Sequence, residues 1–150
     1  MEYEKIAKFT KWILDFMFFA GIIVVITVPL WLKFGGLYYS REIMKHYWLM
    51  LIVFVLSGLL GIFILNELRK MMRTVLEQNC FVMENVLSLK KMARYSIAIS
   101  IFFAIKVAFF PTPATLIIVL VFFIAALFSL VLSCVFKQAI DYKNENDLTI

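Results

Sequence analysis

Asp15 and Lys106 are the only acidic or basic side chains set inside the long apolar runs of this chain, so any intramembrane chemistry has to begin with them. Each stands near an end of its run. Asp15 is one helical turn from Lys11 and is expected to pair with it, and Lys106 is expected to snorkel outward past Phe110. His46, the single histidine, adjoins Tyr47 and Trp48 where an apolar run begins, an ordinary site for an amphipathic ring at a membrane surface. Cys80 and Cys134 are far apart in the sequence and form no CxxC, so neither a metal site nor a disulfide framework is implied. There is no HExxH, no aspartate pair at membrane depth and no serine with a plausible histidine base. These residues call for no cofactor and exclude the common intramembrane hydrolases.

The elements that position these groups are four apolar stretches: Trp12 to Leu32, Tyr47 to Leu65, Tyr95 to Phe110 and Ala114 to Phe136. A helix needs about 20 residues to cross roughly 30 Å of hydrocarbon, and three of the four approach that length. The third spans only about 24 Å and borrows from its flanks. Hydrophobic residues make up 64% of the chain and aromatics 17%. A soluble domain of that composition would aggregate. The predicted fold class is therefore all-α: one domain over 1–150, a polytopic four-helix transmembrane bundle.

The first stretch resembles a signal peptide in its Lys5, Lys8 and Lys11, but it exceeds a typical h-region and no A-x-A site follows; a retained helix anchored by Trp12 and Trp31 is expected. Lysine and arginine are sorted between the connections. The N-terminal segment, the connection 66–94 and the tail hold most of them, whereas Lys33, Arg41, Lys45 and Lys106 are alone on the other side. The positive-inside rule then places both termini and the connection 66–94 in the cytoplasm. The net charge of +5 follows from these flanks and from anionic lipid headgroups, and direct nucleic-acid binding is not expected.

Small residues recur every four positions: Ser57 and Gly61; Ser96, Ser100, Ala104 and Ala108; Ala125, Ser129 and Ser133. They are candidate helix-packing positions, within one chain or in a homo-oligomer. Pro111 and Pro113, around Thr112, predict a tight turn that folds the last two spans into a hairpin.

In the connection, Leu68, Met71, Met72 and Val75 follow one helical face, so the second span is predicted to run on as a basic amphipathic helix. Asn79 and Cys80 interrupt it, and Val82, Val86 and Leu89 lead a second helix into the third span. Together these predict a cytoplasmic helical hairpin between spans two and three. Leu68, Met71, Met72, Val75 and Phe81 are the candidate partner-binding residues, because methionine-bearing apolar faces adapt to varied partners. After about Lys137 the tail, with Asp141, Glu145 and Asp147, is expected to leave the bilayer and fray, free to dock on the basic hairpin.

Phe81 with Glu84-Asn85, then Leu89 to Ala93, and the ending from Val135-Phe136-Lys137-Gln138-Ala139 to Glu145-Asn146-Asp147-Leu148-Thr149-Ile150 resemble the bacterial family called domain of unknown function 2975. The resemblance extends over nearly the whole chain. Its most specific part is the terminal Glu-Asn-Asp-Leu-Thr-Ile. A proline often precedes the family's loop phenylalanine, where this chain has Cys80. The resemblance implies a multi-pass protein of the bacterial inner membrane without an established activity. Members are often encoded beside a small helix-turn-helix regulator, which implies a membrane partner or antagonist of a transcription factor. A regulatory or adaptor module is the expected role; a small transporter component or an immunity protein against a membrane-active peptide is the alternative. Reporter domains fused at Met1 and at Ile150 are expected to report the same, cytoplasmic side, and opposite sides would refute the four-span reading.

Overall fold

The computed structural model describes residues 2–149. It contains α1 (Glu2–Tyr38), a short α2 (Arg41–Lys45), α3 (Tyr47–Leu76), α4 (Met83–Phe109) and α5 (Pro113–Leu148). The four long helices are each apolar and long enough to cross a membrane. All four outrun the apolar stretches that nucleate them. Pro29 lies inside α1 without ending it, and the Thr27 hydroxyl donates to the nearby carbonyls of Ile23 and Val24, each at 3.0 Å. α5 stays helical to Leu148 instead of fraying after Lys137, since no glycine or proline interrupts that stretch. Ile150, the last residue of the tail motif, lies outside the described residues.

The turns are built by local bonds. α3 ends in a Schellman arrangement, in which the Asn79 N–H reaches the Thr74 carbonyl at 2.9 Å and the Gln78 N–H reaches that of Val75 at 3.1 Å. Gln78 takes the left-handed conformation this requires, φ 56°, at a position where glycine is usual. At the other end, Thr112 caps α5 by accepting the Thr115 N–H, and Pro113 occupies the first turn, where its missing N–H costs nothing.

The helices form a layer in the order α1, α3, α4, α5 that curls around a cleft to which all four contribute, among others Val25, Gly58, Phe103 and Phe122. No Cα of α1 comes within 8 Å of α4 or α5, and none of α3 comes that close to α5. The core centres on Val53, Ile99 and Phe103, with Phe54 meeting Phe103 edge to face at 5.7 Å. The buried face of α4 runs through Asn85, Leu89, Met92, Ser96, Ile99, Phe103 and Lys106, in alternating steps of four and three. That is the repeat of two neighbours packing on one seam. α1 buries only Ala7 and Gly36 and rests on α3 alone among the long helices. With lipid as apolar as the side chains, nothing forces the layer to close.

α1 and α3 approach closely at Gly58, where a Cβ would stand 2.6 Å from Cγ2 of Val25; a Cβ on Gly61 would meet nothing within 4 Å. Gly58→Leu is expected to lower stability in detergent by about 1–3 kcal/mol through overpacking. Gly61→Leu should change it by less than about 0.5 kcal/mol. Equal effects of the two in thermal unfolding would contradict this packing.

Candidate functional site

At one end of the layer the polar residues gather. Glu67 and Arg69 are two positions apart on α3, which rotates them about 200° and points them at different neighbours. Arg69 meets α1: its Nε donates to Oδ1 of Asp15 at 2.5 Å, and its guanidinium lies 4.4 Å from the centre of the Phe18 ring. This corrects the expected pairing of Asp15 with Lys11. Antiparallel packing brings in a planar, aromatic-stacking guanidinium from the next helix, a better partner than a flexible lysine on the same one.

Glu67 meets α4. It is 5% exposed; Ser88 donates to its Oε2 at 2.7 Å, and Oε1 lies 3.0 Å from Nζ of Lys70 and 3.8 Å from Nζ of Lys91. Burial on its own would raise the Glu67 pKa. The bonds from Ser88 and Lys70 and the charges of Lys70 and Lys91 outweigh it, holding the carboxyl below its ordinary value. One turn along α4, Asn85 donates to Oγ1 of Thr74 at 2.6 Å and to the Cys80 carbonyl at 2.7 Å, tying the turn to both helices. The Phe81 ring meets that of Phe136 of α5 at a tilt of 50°, their centres 5.4 Å apart. Tyr3 and Ala7 of α1 share a cleft with Val75 and Gln78. The start of α1, the turn 77–82 and the later part of α5 thus share one end of the layer.

The candidate partner face is partly spent on this arrangement. Leu68, Met71 and Met72 are half-buried, Val75 is 42% exposed, and Phe81, 45% exposed, already leans on Phe136. Among the small residues, Ser57, Ser96, Ser100, Ser129 and Ser133 are buried and Ala125 half-buried, whereas Ala104 and Ala108 are exposed. Each step of four overshoots a full turn by about 40°, so by Ala108 the stripe has rotated roughly 120° away from Ser96. Gly61, in open space, leaves the packing face too. Ala126, 1% exposed, takes the buried place beside Ala125.

Lys106 does not snorkel. Its Nζ donates to Oγ1 of Thr115 at 2.9 Å, it is 7% exposed, and it lies 5.5 Å from the Phe54 ring centre and 5.8 Å from that of Phe110. The hydroxyl that satisfies it is supplied by the turn immediately beyond the prolines. Glu67 and Ser88 went unrecognised in the sequence, and Asn85 stood out only as part of the family resemblance. The signal for them was the polar pair Asn85 and Ser88 on a face otherwise made of Val86, Leu89 and Met92.

Among the described residues no three His, Cys, Asp or Glu side chains gather as metal ligands. His46 stands at the start of α3, about 30 Å along the helix from Glu67, and so serves no group there. The cluster is suited to holding three helices in register. Residues 17–150 match the family described as Protein of unknown function (DUF2975). The chain belongs to that family. Neither the curated proteins nor the solved structures contain a match. In this DUF2975 protein the matched stretch includes Glu67, Arg69, Asn85 and Ser88 but begins after Asp15.

A folded-state pKa below the ordinary 4.5 means that Glu67 contributes stability above that pH, and that the contribution is lost as pH falls through the lower folded value. Glu67→Ala, which leaves the buried Ser88 hydroxyl without its acceptor and removes the carboxylate that joins α3 to α4, is expected to cost about 1–3 kcal/mol at neutral pH. Glu67→Gln should cost less and flatten the acid-side loss of melting temperature. An acid profile identical to that of the unaltered protein would contradict the assignment.

Proposed function

We propose that this DUF2975 protein is a non-enzymatic module of the bacterial inner membrane that holds a soluble cytoplasmic protein, such as a helix-turn-helix transcription regulator, at its polar end. The observation that carries the reading is the surface left over once that end has locked itself. Val75 and Phe81 remain substantially exposed, and α5 runs on from Phe136, against which Phe81 leans, into the exposed stretch Asp141 to Thr149 with three acidic side chains. In this reading the extension of α3 beyond Leu65, the turn, and α4 before Tyr95 form a cytoplasmic helical hairpin. Its basic flanks satisfy the positive-inside rule.

A DNA-binding regulator presents a basic face. The acidic end of α5 complements that face, and the methionine-bearing side of α3 offers an adaptable apolar anchor beside it. The transporter or immunity alternative would draw on Lys106 or Asp15. Both are engaged, Lys106 with Thr115 and Asp15 with Arg69, which favours the adaptor reading.

Affinity capture from the native host with the full chain is expected to retain a cytoplasmic protein. The triple variant Met71→Gln, Met72→Gln, Val75→Gln should retain at least about tenfold less of it, the effect of losing an apolar anchor. Identical captured proteins at identical levels would refute the proposal.

A further inference from the structure

On the lipid-facing side of the seam between α4 and α5 lies a groove of about 320 Å³ whose two ends differ in character. Lys90 and Arg94, one turn apart on α4, stand at its polar end and are exposed. Neither forms an ion pair among the described residues, whereas nearby Lys70, Lys91 and Arg69 all do. No carboxylate lines the groove. The first acid farther along α5, Asp141, is about 16 Å of helix beyond Leu130.

The remainder is apolar. Ala93 and Ala126, 5% and 1% exposed, form a floor that is low because both side chains are single methyls. Ile97, Leu127 and Leu130, each between 42% and 48% exposed, form its walls. Arg94 stands at the border where the apolar stretch of α4 begins, the level of headgroup phosphates.

We infer that this groove is a binding site for one anionic phospholipid, its phosphate between Lys90 and Arg94 and an acyl chain along the Ala93 and Ala126 floor. The charge calls for an anion and the floor for a hydrocarbon tail, and the bilayer around the helices supplies molecules that join the two. Basic pockets between transmembrane helices take anionic headgroups for this reason. The inference is independent of the proposed soluble partner, since it uses another face and needs only the membrane.

The test uses the full chain in phosphatidylcholine bilayers with spin-labelled phosphatidylglycerol as probe, reading its relative association constant by electron paramagnetic resonance. Phosphatidylglycerol is expected to associate more strongly than a phosphatidylcholine probe, with a roughly fivefold loss for each groove cation removed in Lys90→Gln and Arg94→Gln. Both residues are exposed and unpaired, and an unchanged circular dichroism melt in phosphatidylcholine confirms that the variants fold. Arg73→Gln with Lys137→Gln, an equal charge removed elsewhere on the same end, should leave the constant nearly unchanged, as should the charge-conserving pair Lys90→Arg and Arg94→Lys. Glycerol 3-phosphate should not displace the lipid. Equal losses from the two Gln pairs, no preference for phosphatidylglycerol, or displacement by glycerol 3-phosphate would each overturn the assignment.

Discussion

A carboxylate withdrawn from water at the foot of α3 constrains everything around it. A buried charge is tolerated only with paired charge and hydrogen bonds, so Glu67 requires Ser88 from α4 and the ammonium groups of Lys70 and Lys91 in fixed places. Meeting that requirement sets the register of α3 against α4. Because Arg69 follows two residues later and faces the other way, the same stretch also sets the register of α3 against α1 through Asp15 and Phe18. Helices embedded in lipid gain little from apolar contact with one another. Polar pairs at the edge of the hydrocarbon therefore fix the alignment, and packing around Val53, Ile99 and Phe103 fills in behind them.

The existence and order of the four long helices were legible in the sequence, because length and hydropathy in lipid leave few alternatives. Their ends were less so. The second helix was legible as running on past Leu65, since Leu68, Met71, Met72 and Val75 keep the helical period. Its stop was legible to within a few residues from Asn79 and Cys80, but the form of the stop was not, because a glutamine takes the left-handed position that glycine usually signals. α2 gave no periodic signal in five residues. The extension of α5 was hidden by its polar composition, which reads as fraying although nothing in it breaks a helix.

Within the candidate site, the exposed apolar residues could be found from periodicity, whereas the ion pairs could not. Asp15 has Lys11 within reach along the sequence and Arg69 within reach only after α1 and α3 pack. Lys106 could look outward past Phe110 or inward to Thr115, and the fold of the proline turn decided for the inward bond. Spacing of four picks out small residues, but a stripe of that spacing turns steadily around the helix, so Ser96 and Ser100 remain at the interface and Ala104 and Ala108 leave it.

The bond between Lys106 and Thr115 bears on how the chain enters the bilayer during synthesis. Alone, α4 would carry an ammonium near the end of its apolar stretch, at a cost below the roughly 2.5–3.5 kcal/mol that the middle of a span imposes. Its remedy is encoded nine residues downstream, in the opening turn of the next and far more apolar helix. That partner exists only once Thr115 has followed Lys106 out of the ribosome, so a hairpin of the last two helices can meet the lipid with the ammonium already bonded, as α4 alone cannot.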